Sequence, residues 1–237
     1  MPESFFQFKH FLINQENCAM KVCTDACFFG AYVNAFDAKN ILDIGTGTGL
    51  LSLMLAQRTI ANITSIEIDK QAYSQAKNNF ENSKWNNRLN AVYGSIQEFS
   101  KNYFSKFDLI ISNPPFFQSS LKSKKLNHNV ALHGSELSFS DLIISVNNLL
   151  NPQGFFWVML PLYESELLIE IANGYGLYKK SECNLFATEN GRLIRKITCF
   201  GYAKNEHCTI ENYNIKNEND AYSDSFKEIL KDFYLAF

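Results

Sequence analysis

The chain has 237 residues, a formal net charge of −2 and an isoelectric point near 6.1, enough for one α/β domain with a full core. Hydrophobic residues make up 46% and charged residues 19%, the balance of a soluble globular protein, and no apolar run approaches the ~20 residues that span a bilayer. The start, Met1-Pro2-Glu3-Ser4, lacks a basic stretch followed by an apolar one, so a cytoplasmic location without membrane contact is expected.

In chain order, residues 6–13 are short and aromatic-rich, as in a hairpin. Asn40–Ile44 reads as a buried strand, 49–58 as a helix, 62–68 as a strand and 69–83 as a helix capped by Asp69. Leu89–Tyr93 and Phe107–Ser112 are the next strands. The polar stretch 118–138 has no periodicity and reads as a mobile loop. A helix over 140–149 capped by Ser140, a turn over 151–154 and a strand over 155–160 follow. Beyond them the pattern weakens to a helix over 163–173, a strand over 193–202 and an amphipathic helix over 223–235, apolar at 226, 229, 230, 233 and 234. Strands alternating with helices predict a mostly parallel, seven-stranded sheet with helices on both faces, in a single domain of 1–237 whose residues 1–38 precede the core of 39–237. Cysteines 18, 23 and 27 fall close together, but free thiols in a reducing compartment are the expected state, with no metal.

Asp43-Ile-Gly45-Thr46-Gly47-Thr48-Gly49 joins a strand to a helix. Glycines let the backbone turn sharply and approach a ligand. The spacing is G-x-G-x-G rather than the G-x-G-x-x-G that seats a pyrophosphate, which argues against a nicotinamide oxidoreductase. S-adenosylmethionine has no phosphate; its methionine end carries a carboxylate and an ammonium, and Asp43 suits the cationic group. Glu67, at the end of the next strand, can accept hydrogen bonds from two ribose hydroxyls.

The most specific pattern is Asn113-Pro114-Pro115-Phe116, directly after Phe107–Ser112. Two prolines stiffen the backbone and remove two N–H donors. The Asn113 side chain and the Pro114 carbonyl then offer two acceptors, enough to hold an NH₂ group by both hydrogens. Phe116 offers a flat surface for a planar acceptor.

These residues resemble the N/D-P-P-Y/F signature of Rossmann-like class I methyltransferases. The chain is similar in particular to the bacterial family that methylates N6 of the adenine beside the anticodon of a valine tRNA. Phe8-Lys9-His10-Phe11 through Gln15, Cys18–Asp25, Asp43–Arg58, Ile110–Phe117 and the tail Lys231–Leu235 carry the likeness. It implies S-adenosylmethionine as cofactor and tRNA as partner, with no obligate protein partner. Lys21, Thr24 and Asp25 are expected near the methionine end, in a segment that closes over the cofactor. Asp43, Gly45, Thr46, Gly47, Gly49, Glu67, Ser95 and Asn113 complete the expected cofactor contacts. Asn113, Pro114, Pro115 and Phe116 are the expected catalytic residues, and Lys122, Lys124, Lys125 and His133 the expected RNA contacts. The chain departs from the family at Cys23 and Ala26, where glycine is usual, at Ser95, where many relatives have an aspartate, and at Leu132, where an arginine often stands. The tetrapeptide also suits guanine N2 of ribosomal RNA or a glutamine amide. A non-catalytic adenosine-binding module would need no such tetrapeptide.

Overall fold

Alternation of buried strands with helices dictates the layers. The computed structural model describes residues 4–16, 18, 20–35, 37–114, 137–204 and 208–237. Phe5–Gln7 (β1) and Leu12–Asn14 (β2) pair antiparallel as the expected hairpin. Thr24–Tyr32 (α1) leads to Asn40–Ile44 (β3), Leu50–Arg58 (α2), Asn62–Glu67 (β4), Lys70–Glu81 (α3) and Leu89–Tyr93 (β5). Ile96–Asn102 (α4), Phe107–Ser112 (β6), Phe139–Leu149 (α5), Leu150–Leu160 (β7) and Leu162–Gly174 (α6) follow. Tyr178–Thr188 (β8), Leu193–Gly201 (β9), Thr209–Lys216 (β10) and Asp224–Leu230 (α7) end the order.

The main sheet has the order β10-β8-β9-β7-β6-β3-β4-β5. Only β9 runs against the others, pairing antiparallel with β7 and β8. Among the described residues the sheet has eight strands, one more than the seven expected. The extra strand, β10, pairs with β8 at the edge; its outer residues are exposed, so no apolar alternation betrays it. One core cluster gathers α1, α2, Phe80 of α3 and Phe226 of α7 with Phe8 and Phe11 of the hairpin turn. A second gathers Ile96 of α4, α5 and α6 on the other face. Phe8, Phe11 and Ile13 of the hairpin and the buried residues of α1 therefore pack into the same core as the rest.

Several boundaries differ from the sequence reading. Ser138, not Ser140, caps α5: its Oγ accepts from the Asp141 N–H at 3.1 Å, while Ser140 already lies in the first turn. Asp69 caps α3 as expected, accepting from the Gln71 and Ala72 N–H groups. Residues 151–154 lie within β7 rather than in a free turn; the register opposite β6 jumps from Phe107↔Leu150 to Leu109↔Phe155, which absorbs them. The tail helix stops at Leu230, though Phe233 and Tyr234 beyond it stay buried. Elements α1, α4, β8 and β10 have no counterpart among the expected elements.

The sheet order reverses at β3, with β4 and β5 on one side and β6 and β7 on the other. At such a switch point the strand ends diverge and leave a crevice at their carboxyl ends. A cavity of about 620 Å³ occupies that place here.

Candidate cofactor and acceptor site

The loop after β3 divides its work among its glycines. Gly45, Gly47 and Gly49 have φ of +71°, +57° and +84°, the left-handed region that favours glycine. A Cβ on Gly45 or Gly47 would meet nothing within 4 Å, and both residues line the cavity. A Cβ on Gly49 would stand 2.5 Å from the Phe80 ring, so this glycine serves the packing of the loop on α3 and does not face the cavity.

Two carboxylates brace the loop. Asp43 is fully buried behind it; its Oδ2 accepts from the Thr46 hydroxyl at 2.6 Å and the Ser52 hydroxyl at 2.7 Å. Its Oδ1 is buried with no hydrogen-bond partner among the described residues. Burial pushes the Asp43 carboxyl up from 3.8 to about 6; the Thr46 and Ser52 hydroxyls oppose the shift and the charge on Glu67 adds to it. Asp43 does not line the cavity. Glu67 does, and it accepts from the Gly47 N–H and the Asp69 N–H, each at 2.9 Å. A carboxylate has about four acceptor sites, so two bonds leave Glu67 capacity for a ligand.

The acceptor side lies where β6 ends. Ser112 Oγ donates to the Ile44 carbonyl at 2.9 Å, fastening the ends of β6 and β3 together. Asn113 and Pro114 then line the cavity, and Asn113 Oδ1 is buried without a partner among the described residues. An unpaired buried acceptor carries a desolvation cost of about 1–3 kcal/mol, which a ligand N–H would relieve. Pro115, Phe116, Lys122, Lys124, Lys125, Leu132 and His133, and the loop expected over 118–138 as far as 136, lie outside the described residues.

The remaining expected contacts separate into two groups. Lys21, Thr46 and Ser95 line the cavity; Ser95 caps α4, its Oγ accepting from the Glu98 N–H at 3.2 Å. Thr24 and Asp25 start α1 and do not line it. Asp25 instead forms an ion pair with Arg195 of β9 at 2.9 Å. Cys23 and Ala26, the two positions where glycine was expected, both line the cavity. Burial, with Asp25 close by, pushes the Cys23 thiol up to about 12, and burial raises Cys18 to about 11, so both remain thiols. Among the described residues, no group of three or more His, Cys, Asp or Glu side chains is placed to hold a metal, and no helix is long and apolar enough to cross a membrane.

Sequence reasoning missed Met20, Val22, Ile68, Gln97 and Leu137 of the lining. Ile68 alone had a signal: an apolar residue between Glu67, which ends β4, and Asp69, which caps α3, here 52% exposed.

Known proteins match this sequence along its whole length. A protein of Dyadobacter fermentans named tRNA1(Val) (adenine(37)-N6)-methyltransferase is 41% identical over 100% of both chains. Relatives of the same name from Cytophaga hutchinsonii, at 42% over 99% of each chain, and Pseudoalteromonas translucida, at 40% over 98% of this chain and 99% of the relative, agree. The chain belongs to this family. The model of the methyltransferase small domain matches residues 28–159 of this methyltransferase, from α1 to the end of β7. Its fold is that of a predicted O-methyltransferase from Agrobacterium tumefaciens, with a TM-score of 0.64 at 15% identity over 87% of this chain and 95% of that one. A methyltransferase from Pyrococcus furiosus gives 0.57 at 20% over 77% and 84%. The methyl donor of this methyltransferase is S-adenosylmethionine.

Proposed function

We propose that this methyltransferase methylates N6 of an adenine in tRNA, with adenine 37 of a valine tRNA as its target, the position named for its full-length relatives. The observation that carries the reading is the pairing of an open, glycine-walled cavity with the Asn113 acceptor at its edge, which has no partner among the described residues. The residues present fit the donor. Gly45 and Gly47 leave the space that side chains would fill, and Glu67 retains lone pairs for ribose hydroxyls. Lys21 and Thr46 face the methionine end and Ser95 the base, while Asp43 lends its charge from behind the loop. Thr24 and Asp25 act through the placement of α1, and Gly49 through packing.

Bound S-adenosylmethionine supplies an electrophilic methyl group on a sulfonium. Asn113 Oδ1 and the Pro114 carbonyl accept the two hydrogens of the exocyclic amine, which turns its lone pair out of the ring system. Phe116 lies against the ring and Pro115 keeps the backbone stiff. Taking the base out of its stack costs a few kcal/mol, least in a loop, and positioning supplies most of the catalysis. The amine loses its proton to water after transfer, so no residue need act as a base. Lys122, Lys124, Lys125 and His133 meet phosphates of the tRNA, in the cytoplasm.

Asn113→Ala tests the assignment. It removes one of two aligned acceptors and is expected to lower the single-turnover rate on the order of 10²-fold while affinity for S-adenosylhomocysteine stays unchanged. A wild-type rate would make Asn113 a structural residue and refute the role.

A further inference from the structure

Two walls of the cofactor cavity come from parts of the chain far apart in sequence. One is formed by Cys18 and by Met20 to Cys23, the other by the glycine loop from Gly45 to Thr48. Two buried amides stand between them. Asn79 of α3 is 2% exposed. Its Oδ1 accepts from the Asn14 N–H at 3.1 Å and its Nδ2 donates to the Asn14 carbonyl at 2.9 Å, so one side chain clasps both backbone groups of a single residue. The same Nδ2 donates to the carbonyl of Thr48, in the glycine loop, at 2.8 Å. The next residue, Gln15, is also buried; its Oε1 accepts from the N–H of Val22, on the opposite wall, at 2.8 Å. Thr48, Asn79, Asn14, Gln15 and Val22 thus form one path from wall to wall, hydrogen-bonded at every link except the Asn14–Gln15 peptide bond.

We propose that Gln15 and Asn79 are positioning residues that set the width of the cofactor cavity, with Asn79 fixing the exit of the β1–β2 hairpin to the glycine loop and Gln15 hanging the Met20–Cys23 wall from that exit. The residues touch no reacting atom. Their chemistry suits this bridging role, since a primary amide offers two donors and a two-lone-pair acceptor, and Asn79 spends three of these on backbone groups of two separate segments. Without Gln15 Oε1 the Val22 N–H would have to find another partner, and the wall would move to reach one. The distinction from a folding role is directional, because the path ends on both sides at residues that line the cavity.

The inference rests on the cavity being the S-adenosylmethionine site, and calorimetry with S-adenosylhomocysteine on the full chain without RNA separates the two. Gln15→Met keeps the length of the side chain and removes the acceptor. It is expected to weaken binding about tenfold, or about 1.4 kcal/mol. With tRNA and saturating donor its kcat should stay within about twofold of wild type while KM for the donor rises in step with the weakened binding. Gln15→Glu retains an Oε acceptor and is expected to recover affinity to within about threefold. Wild-type affinity in Gln15→Met, an equal loss in both variants, a fall confined to kcat, or a Gln15→Met chain that does not fold would each overturn the proposal. If the wild type binds S-adenosylhomocysteine and Gln15→Met binds it equally, this inference fails alone. If the wild type does not bind it, the cofactor reading fails and takes this one with it.

Discussion

Asp43→Asn should make this methyltransferase more stable at neutral pH and worse at holding its cofactor. Asp43 is fully buried, with two hydroxyls on Oδ2 and nothing on Oδ1, and its carboxyl is raised from 3.8 to about 6. A raised folded-state pKa means that the folded state binds the proton more tightly than the unfolded chain. The neutral acid therefore stabilises the fold at low pH, and that stability is lost as pH rises from about 4 to about 6. Above that window the ionised carboxylate costs about 3 kcal/mol. Asparagine is nearly the same shape, can still accept from Thr46 and Ser52, and carries no charge to desolvate. The variant should gain up to about 3 kcal/mol at pH 7, and only about half of that at pH 5, from the same linkage. In a chain of this size the neutral-pH gain corresponds to a rise in Tm of about 6–12 °C. Urea unfolding of both proteins at several pH values measures the difference, in which the other titrating groups cancel. Cofactor affinity should move the other way, since a buried carboxylate behind the loop is offset by the cationic sulfonium and ammonium of the ligand. A stability difference independent of pH between 5 and 7, or a variant less stable than wild type at pH 7, would refute the reasoning.

Gly49→Ala combines a φ of +84° with a Cβ placed 2.5 Å from Phe80, and should cost about 2–4 kcal/mol of stability by strain and overpacking, seen as a lowered Tm. Gly47→Ala meets no neighbour within 4 Å, so it should cost only about 1 kcal/mol in stability from its left-handed φ but lose most cofactor binding by calorimetry; equal stability losses in the two variants would contradict the division of labour in the loop. Replacing Lys122, Lys124 and Lys125 together with alanine should weaken tRNA binding in a salt titration and flatten its slope by up to about three phosphate contacts, with affinity for S-adenosylhomocysteine unchanged.

The sequence is most legible where local pattern and tertiary role coincide. Strands β3, β5 and β6 are short apolar runs bounded by turn residues, and both ends of each stand where the pattern puts them. The glycine spacing and Asn113-Pro114 mark the switch point because glycine and proline restrict or free the backbone whatever surrounds them. Helix α1 escapes notice because six consecutive residues, Ala26 to Ala31, are buried, leaving no polar face to set a period. Strand β10 escapes for the opposite reason, its first four residues being exposed at a sheet edge. Side-chain roles are harder still. In sequence Asp43 suits the ligand's cationic end, yet it stands behind the loop, a placement decided by Thr46 and Ser52. Asn79 and Gln15 look like ordinary polar residues in sequence, since their partners lie on other segments.

The reaction assigned to this methyltransferase is the transfer of a methyl group to N6 of an adenine in tRNA. Its most direct test incubates the protein with labelled S-adenosylmethionine and total tRNA from a strain lacking the gene, followed by mass spectrometry of the nucleosides and of the isolated valine tRNA. Label is expected in N6-methyladenosine at position 37 of valine tRNA. Label in N2-methylguanosine, or transfer to ribosomal RNA or a protein glutamine with none to tRNA, would contradict it.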